Sequence, residues 1–241
     1  MAQTGKMVYR FDEGDADMRS LLGGKGANLC EMAGLGLPVP PGFVITTQTC
    51  RDYYASGGHF PDGLWEDVTA NIAHVESSAG REFGSPEAPL LVSVRSGAPI
   101  SMPGMMDTIL NLGINDQTVT GLGKLMNSPR AAYDAYRRFV DMFGRIVLSM
   151  DASVFDNILD RHKTEEGVTL DQELTPERLQ LITRDFQAAV RQVTGIEVPE
   201  DPWEQLRQAI DAVFGSWNGA RAITYRNARG ISHDMGTAVN V

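Results

Sequence analysis

The sequence contains few of the features that mark a secreted or membrane protein. Only Cys30 and Cys50 are cysteines among 241 residues, too few for a disulfide framework and typical of a reducing compartment. No run approaches the roughly 18–20 consecutive apolar residues of a membrane-spanning helix. The first residues are followed by no apolar signal segment. We therefore expect a cytoplasmic protein with no membrane partner.

Positive charge is also scarce. The chain has 21 Lys and Arg against 31 Asp and Glu, which gives a formal net charge of −10. Because nucleic-acid binding needs an extended basic surface, this balance argues against a nucleic-acid partner, although a local basic pocket can still hold a nucleotide. Residues 151–200 carry much of the acidic excess, and we interpret them as a solvated surface.

The four histidines are scattered along the chain. No pair has the spacing of metal ligands, and none lies beside a serine or cysteine nucleophile with an orienting carboxylate. The pattern therefore disfavours a zinc site and a catalytic triad.

Hydrophobic patterning divides the chain into two kinds of segment. Short apolar runs at 7–9, 43–46 and 90–94 predict strands, and the stretches near 27–34 and 62–83 predict helices. In residues 115–199, apolar residues recur at three- and four-residue steps, which predicts a helical block. We place Phe139 and Phe143 on the buried face of one of its helices, a face that continues to Met150, and expect Thr175 to cap another.

The final forty residues return to the first kind of pattern. Asp201 is placed to cap a helix, with Glu204 reaching back to it. The β-branched run 237–241 predicts a strand, and its position at the end of the chain is typical of a chain cut inside a larger protein. A natural edge strand at the C-terminus is the alternative. We predict an α+β fold, with one portion formed by 1–114 plus 200–241 and a helical insert at 115–199.

The segment Gly23-Gly24-Lys25-Gly26 places three glycines around one lysine, just before a helical pattern. Glycines let backbone N–H groups approach phosphate oxygens, and a helix start favours an anion. The spacing of a Walker A loop is absent. A plain turn is the alternative.

Two further segments are candidates for a ligand site. Arg95 ends an apolar strand, where its planar guanidinium suits phosphate, although a structural salt bridge would explain it equally. The loop 101–108 surrounds Gly104 with Met102, Met105 and Met106. This adaptable apolar surface suits an adenine ring or a loop packed under the helical block.

Five segments together resemble the N-terminal nucleotide-binding domain of the pyruvate, phosphate dikinase family: 23–29, 41–43, 92–98, 101–113 and 236–241. They occur in order along essentially the whole chain, and the methionine-rich loop is the most specific. The related phosphoenolpyruvate synthases share the first and third segments but differ in this loop, and they are the alternative within the superfamily.

The resemblance implies a partial ATP-grasp fold with a helical insert, and a phosphoryl relay. ATP phosphorylates a histidine on a separate domain, inorganic phosphate takes part, and pyruvate is the final acceptor. Lys25 matches the lysine of the family's glycine loop, and Arg95 matches its phosphate-contacting arginine, so both are candidate catalytic residues. Gly104, Met105 and Met106 match the loop near the nucleotide.

The resemblance also implies what this chain lacks. ATP and Mg²⁺ serve the full-length enzyme, but the family's metal-binding acidic residues and its phosphohistidine domain lie beyond the position of Val241. We expect a homodimer at full length and no activity from these 241 residues alone. A non-catalytic module that binds a nucleotide or partner is the alternative from another class.

Overall fold

The computed structural model describes residues 5–241 and confirms the α+β class, with 57% of residues helical and 10% in strands. The chain forms two compact units. The first contains the residues up to Gly80 together with Ser93–Thr108 and Ile210–Val241, and the second contains Arg81–Val92 and Ile109–Ala209. The predicted division into an ATP-grasp portion and an insert at 115–199 stays a prediction, because compactness alone does not define a family's subdomains.

The strands and helices are short to medium in length. The strands are β1 (Val8–Arg10), β2 (Phe43–Ile45), β3 (Glu82–Phe83), β4 (Pro89–Leu90), β5 (Val92–Gly97), β6 (Thr108–Leu112) and β7 (Ala238–Asn240). The helices are α1 (Arg19–Gly34), α2 (Thr47–Ala55), α3 (Leu64–Ala79), α4 (Thr118–Leu125), α5 (Pro129–Ile146), α6 (Ala152–Glu166), α7 (Pro176–Thr194), α8 (Pro202–Ser216) and α9 (Ala220–Arg229). Within the described part of the chain, none of these helices is apolar over a length that would cross a membrane.

The sheet of the first unit is built around its last strand. Its strand order is β1-β2-β7-β5, and each neighbouring pair is antiparallel. In this register Asn240 lies opposite Val44 on one side and opposite Arg95 on the other. All three residues of β7 are buried. The predicted strand at 237–241 is therefore confirmed, and it occupies the interior of the sheet.

Helix α1 covers one face of this sheet. Its buried side chains Leu22, Ala27 and Cys30 form a core with Val44 and Ala238 from β2 and β7. Burial of such apolar side chains is worth roughly 1.5–3 kcal/mol each for the larger ones. This packing holds α1 against β2 and against β7, the strand that carries Asn240.

Helices α5 and α7 form the centre of the second unit, where Phe139 and Phe143 are fully buried as predicted. The predicted cap of α7 is also present, since Thr175 Oγ1 accepts from the Arg178 N–H at 3.2 Å. Such a cap satisfies one of the backbone N–H groups that a helix start leaves free.

Several predicted boundaries are wrong. The helix expected over 62–83 ends at Ala79, because Gly80 adopts the left-handed conformation (φ 63°) that terminates a helix. Phe83 lies in strand β3 instead. Helix α5 ends at Ile146, before the expected Met150. The strand expected over 90–94 is interrupted at Leu91, and β5 continues to Gly97.

Candidate phosphate-binding site

The sequence places the Gly-Gly-Lys-Gly segment in a loop before a helix. In the structure this segment lies inside α1. Gly23 interrupts the helix with φ 69° and ψ 170°, and helical geometry resumes after it. A Cβ atom placed on Gly23 would lie 1.6 Å from the carbonyl oxygen of Gly97. Glycine is therefore required at this position both by its backbone conformation and by the contact. The kink creates a second helix start directly against the end of β5.

One hydrogen bond holds this helix start in place, since the Gly24 N–H donates to the carbonyl oxygen of Ala98 at 3.0 Å. Gly97 lies close to Lys25, because a Cβ atom built on Gly97 would be 3.7 Å from the Lys25 Cβ. Two segments that are far apart in the sequence, the glycine-rich segment and the end of the arginine-bearing strand, therefore meet.

A cavity of about 480 Å³ opens beside this junction. Helix α1 lines it with Arg19, Gly24, Lys25 and Asn28. The end of β5 and the connection after it contribute residues 96–104 and Met106, and the first residue of β6 contributes Thr108. Three of the predicted site residues, Lys25, Gly104 and Met106, are thus brought together around one space.

The other two predicted site residues are not part of the lining. Arg95 is exposed on β5, and its charge is close enough to lower the pKa of Lys25. Met105 is half-buried, and its N–H donates to the carbonyl oxygen of Met102 at 3.2 Å, which closes a turn in the loop. Met102 does line the cavity and is itself 8% exposed.

The cavity carries positive charge without a compensating carboxylate among the described residues that line it. Burial lowers the pKa of the Lys25 amine, and the neighbouring charge of Arg95 lowers it further. Arg19 adds a second cation to the lining, and Asn28, Ser96, Ser101 and Thr108 add hydrogen-bonding groups. This arrangement suits an anion with several oxygen atoms, such as a phosphate chain.

Sequence reasoning missed Arg19, Asn28 and Thr108. The sequence pattern places the start of the first helix near residue 27, whereas α1 begins at Arg19. It directly follows a short 3-10 turn, Ala16–Met18, which Asp15 caps by accepting hydrogen bonds from two backbone N–H groups. Asp15 was the available signal, because an Asp before a run of helix-forming residues is typical of a helix start.

A magnesium ion does not fit the described residues directly. They contain no group of three or more His, Cys, Asp or Glu side chains placed to hold a metal ion. Asp107, next to the lining residue Met106, is half-buried and forms an ion pair with Arg221 at 3.3 Å. Because Mg²⁺ prefers carboxylate oxygens, and the described residues that line the cavity include no carboxylate, the cavity lining alone does not fit a magnesium ion.

A kinked helix start and a half-buried lysine beside a carboxylate-free cavity are features that suit a phosphate-bearing ligand such as a nucleotide. The family model described as "Pyruvate phosphate dikinase, AMP/ATP-binding domain" matches residues 19–60 and 58–241. The chain belongs to this family, and the resemblance inferred from the sequence is confirmed.

Curated relatives carry the same family name. The pyruvate, phosphate dikinase of Entamoeba histolytica is 52% identical over 236 residues, which are 97% of this chain and 27% of the relative. The enzyme of Clostridium symbiosum is 49% identical over 98% of this chain and 27% of its own length. The chloroplastic enzyme of Flaveria pringlei is 48% identical over 99% of this chain and 25% of its own length. The chain therefore spans about a quarter of the length of these relatives.

Proposed function

We propose that this chain is the nucleotide-binding portion of a pyruvate, phosphate dikinase and that its cavity binds the phosphate chain of ATP. The observation that carries the proposal is the junction at Gly23. It gathers Lys25, Gly104 and Met106 around one space, and these are residues that the family resemblance had implicated separately. The mixed α+β fold is compatible with an ATP-grasp domain.

Each lining group has a definite task in this proposal. The Lys25 ammonium and the Arg19 guanidinium neutralise phosphate oxygens, and the N-terminus of the helix that resumes after Gly23 favours a bound anion. Met102 and Met106 offer an apolar surface to the base. Exposed Arg95 contacts the phosphate that is transferred. None of these groups is a general base, which agrees with phosphoryl transfer by positioning and charge neutralisation.

The whole enzyme extends beyond these residues. In our proposal, ATP, pyruvate and phosphate are converted reversibly to AMP, phosphoenolpyruvate and diphosphate through a phosphohistidine on another domain of the same chain. Carboxylates outside the described residues supply the Mg²⁺ ligands. The full-length protein is proposed to be a cytoplasmic homodimer, and the 241 residues alone to be inactive. The share of each relative that the chain covers, about a quarter, supports this division.

The test is phosphoenzyme formation by the full-length protein. Lys25→Met removes the half-buried charge and should slow phosphorylation by Mg·ATP on the order of a hundredfold or more, as for loss of other preorganised electrostatic contacts. Lys124→Met is the matched control, because Lys124 is an exposed lysine on a different helix. Intact-protein mass spectrometry measures the phosphorylated fraction over time. A normal rate in a folded Lys25→Met protein would refute the proposal.

A further inference from the structure

Asn240 occupies an unusual place for a polar side chain. It lies on the central strand β7 and is only 3% exposed. Its Nδ2 donates to the carbonyl oxygen of Arg95 at 3.2 Å. Its Oδ1 is buried and has no hydrogen-bond partner among the described residues. A buried amide with an unpaired oxygen costs free energy, so packing alone does not account for it.

The amide of Asn240 fills a gap between α1 and β5 that two glycines create. A Cβ atom on Gly97 would lie 2.6 Å from Nδ2, and one on Gly26 would lie 3.1 Å from Oδ1. No larger residue fits at Gly97 while the amide keeps its position. At Gly26 a Cβ atom would also lie 2.9 Å from Val44. The three residues are therefore fitted to one another.

These two glycines are close in sequence to Lys25, which lines the cavity, and to Arg95, whose charge lowers the pKa of Lys25. Gly26 follows Lys25 on α1, and Gly97 lies two positions after Arg95 on β5. The Asn240 side chain thus contacts the backbone that carries Arg95 and lies against the helix that carries Lys25. A change in its position would alter the spacing of both cations.

We propose that Asn240 is a positioning residue of the ATP site, which fixes the spacing of Lys25 and Arg95 by holding β5 through the Arg95 carbonyl and by filling the space against Gly26. This inference rests on the proposed function. Asn240 itself touches no phosphate in this proposal, and it acts through the two cations.

Two measurements on the 241-residue chain report this role directly. The chain has only four lysines, Lys6, Lys25, Lys124 and Lys163, so ¹³C-dimethylation gives few NMR signals, and the one from Lys25 is assigned with Lys25→Arg. The second measurement is hydrogen exchange of the Gly24 amide, whose bond to Ala98 spans the same junction.

Asn240→Ala should raise the pKa of Lys25 towards its ordinary value and speed exchange of the Gly24 amide, because water enters the gap and the junction loosens. The signals of the other three lysines should not change. Asn115→Ala is the matched control, since Asn115 is 5% exposed and its Nδ2 also donates to a backbone carbonyl, that of Glu200 at 2.7 Å. It should lower stability without changing either signal.

A second variant tests the same point without removing the amide. Gly97→Ala forces Nδ2 away and should produce the same two changes, whereas Gly34→Ala on α1, which has open space around it, should produce neither. If Asn240→Ala does not fold, Gly97→Ala alone decides. Unchanged Lys25 titration and unchanged Gly24 exchange in the folded variants would overturn the inference.

A kinetic measurement on the full-length enzyme distinguishes failure of this inference from failure of the proposed function. In the full-length enzyme, Asn240→Ala should lower kcat/KM for phosphoenzyme formation on the order of tenfold, and Asn115→Ala should not. If Lys25→Met is fully active, the proposed function fails, whatever Asn240 does. If Lys25→Met is inactive while Asn240→Ala leaves kcat/KM and both NMR signals unchanged, only the positioning role is wrong.

Discussion

Gly23 and Gly97 meet backbone against backbone, with no room for a side chain between them. A Cβ atom on Gly23 would lie 2.6 Å from the carbonyl carbon of Gly97 and closer still to its oxygen. The contact joins α1 to the end of β5, and the cavity opens beside it. The positions of Lys25 and of the loop after β5 therefore depend on this one pair of glycines.

Gly23→Ala should destabilise the chain severely. Alanine must adopt φ 69°, which costs on the order of 1–3 kcal/mol of stability. The clash of its Cβ atom with the Gly97 carbonyl oxygen lowers stability further, because a backbone oxygen cannot move aside freely. Urea unfolding measures the loss. Gly34→Ala is the control, because Gly34 lies on the same helix and a Cβ atom there would have no neighbouring atom within 4 Å. This variant should leave the free energy of unfolding unchanged or raise it slightly. Equal stability of the two variants would contradict the account of the kink.

Arg95→Leu should abolish ATP-dependent phosphorylation of the full-length enzyme while leaving folding nearly intact, because the side chain is exposed. The expected loss is on the order of 2–4 kcal/mol of transition-state stabilisation. Arg81→Leu, another exposed arginine, serves as control. Phosphoenzyme formation at the normal rate would show that Arg95 has no role in transfer.

Phe143→Ala should cost roughly 3–5 kcal/mol of stability, because Phe143 is fully buried on α5 and its ring packs 5.5 Å, centroid to centroid, from that of Phe139. Leu181→Ala on α7 is the control, since Leu181 is 46% exposed. Thermal unfolding of the chain compares the two. A small shift for Phe143→Ala would mean that the helical core is loosely packed at this residue.

As the pH rises, nucleotide binding should begin to weaken at a lower pH than it would if Lys25 had the ordinary pKa of a lysine. Burial and Arg95 lower the pKa of Lys25 below 10.5. The amine attracts phosphate only while charged, so affinity should fall as pH rises through this lowered value. The methyl resonance of Met106, which lines the cavity, can follow Mg·ATP titrations across this range. In Lys25→Arg the decline should vanish, because arginine stays charged. If the affinity of Lys25→Arg still falls with rising pH, deprotonation of Lys25 is not the cause of the decline.

Helix caps were predictable from the sequence, since each depends on residues that are close together along the chain. Thr175 caps its helix as predicted, and Asp201 Oδ1 accepts from the Trp203 N–H at 3.1 Å. Even there, the expected return contact of Glu204 was wrong, because its carboxylate accepts from Gln208 at 2.7 Å. Competition between side chains of the same helix cannot be resolved from spacing alone.

Features set by distant contacts were not predictable. Gly23 looks like part of a loop in the sequence, and only its contact with Gly97 makes it a kink within a helix. The apolar spacing up to Phe83 continued a helical pattern that Gly80 ends. Arg19 became a site residue only because α1 begins earlier than the pattern indicated. The family resemblance located Lys25 without revealing what holds it in place.

The most direct test of the central claim is an NMR titration of the ¹³C-dimethylated 241-residue chain with Mg·ATP, compared with tripolyphosphate and adenosine. The account predicts that ATP and tripolyphosphate shift the Lys25 signal and the Gly24 amide, weakly and in a salt-sensitive manner, because water and ions screen partly exposed charges. Lys6, Lys124 and Lys163 should hardly respond, and no ATP should be hydrolysed. Equal shifts at Lys124 and Lys25, or no shift at Lys25 at saturating ATP, would contradict the claim that this cavity is the phosphate site. Micromolar binding with hydrolysis would contradict the claim that these residues hold only part of the active site.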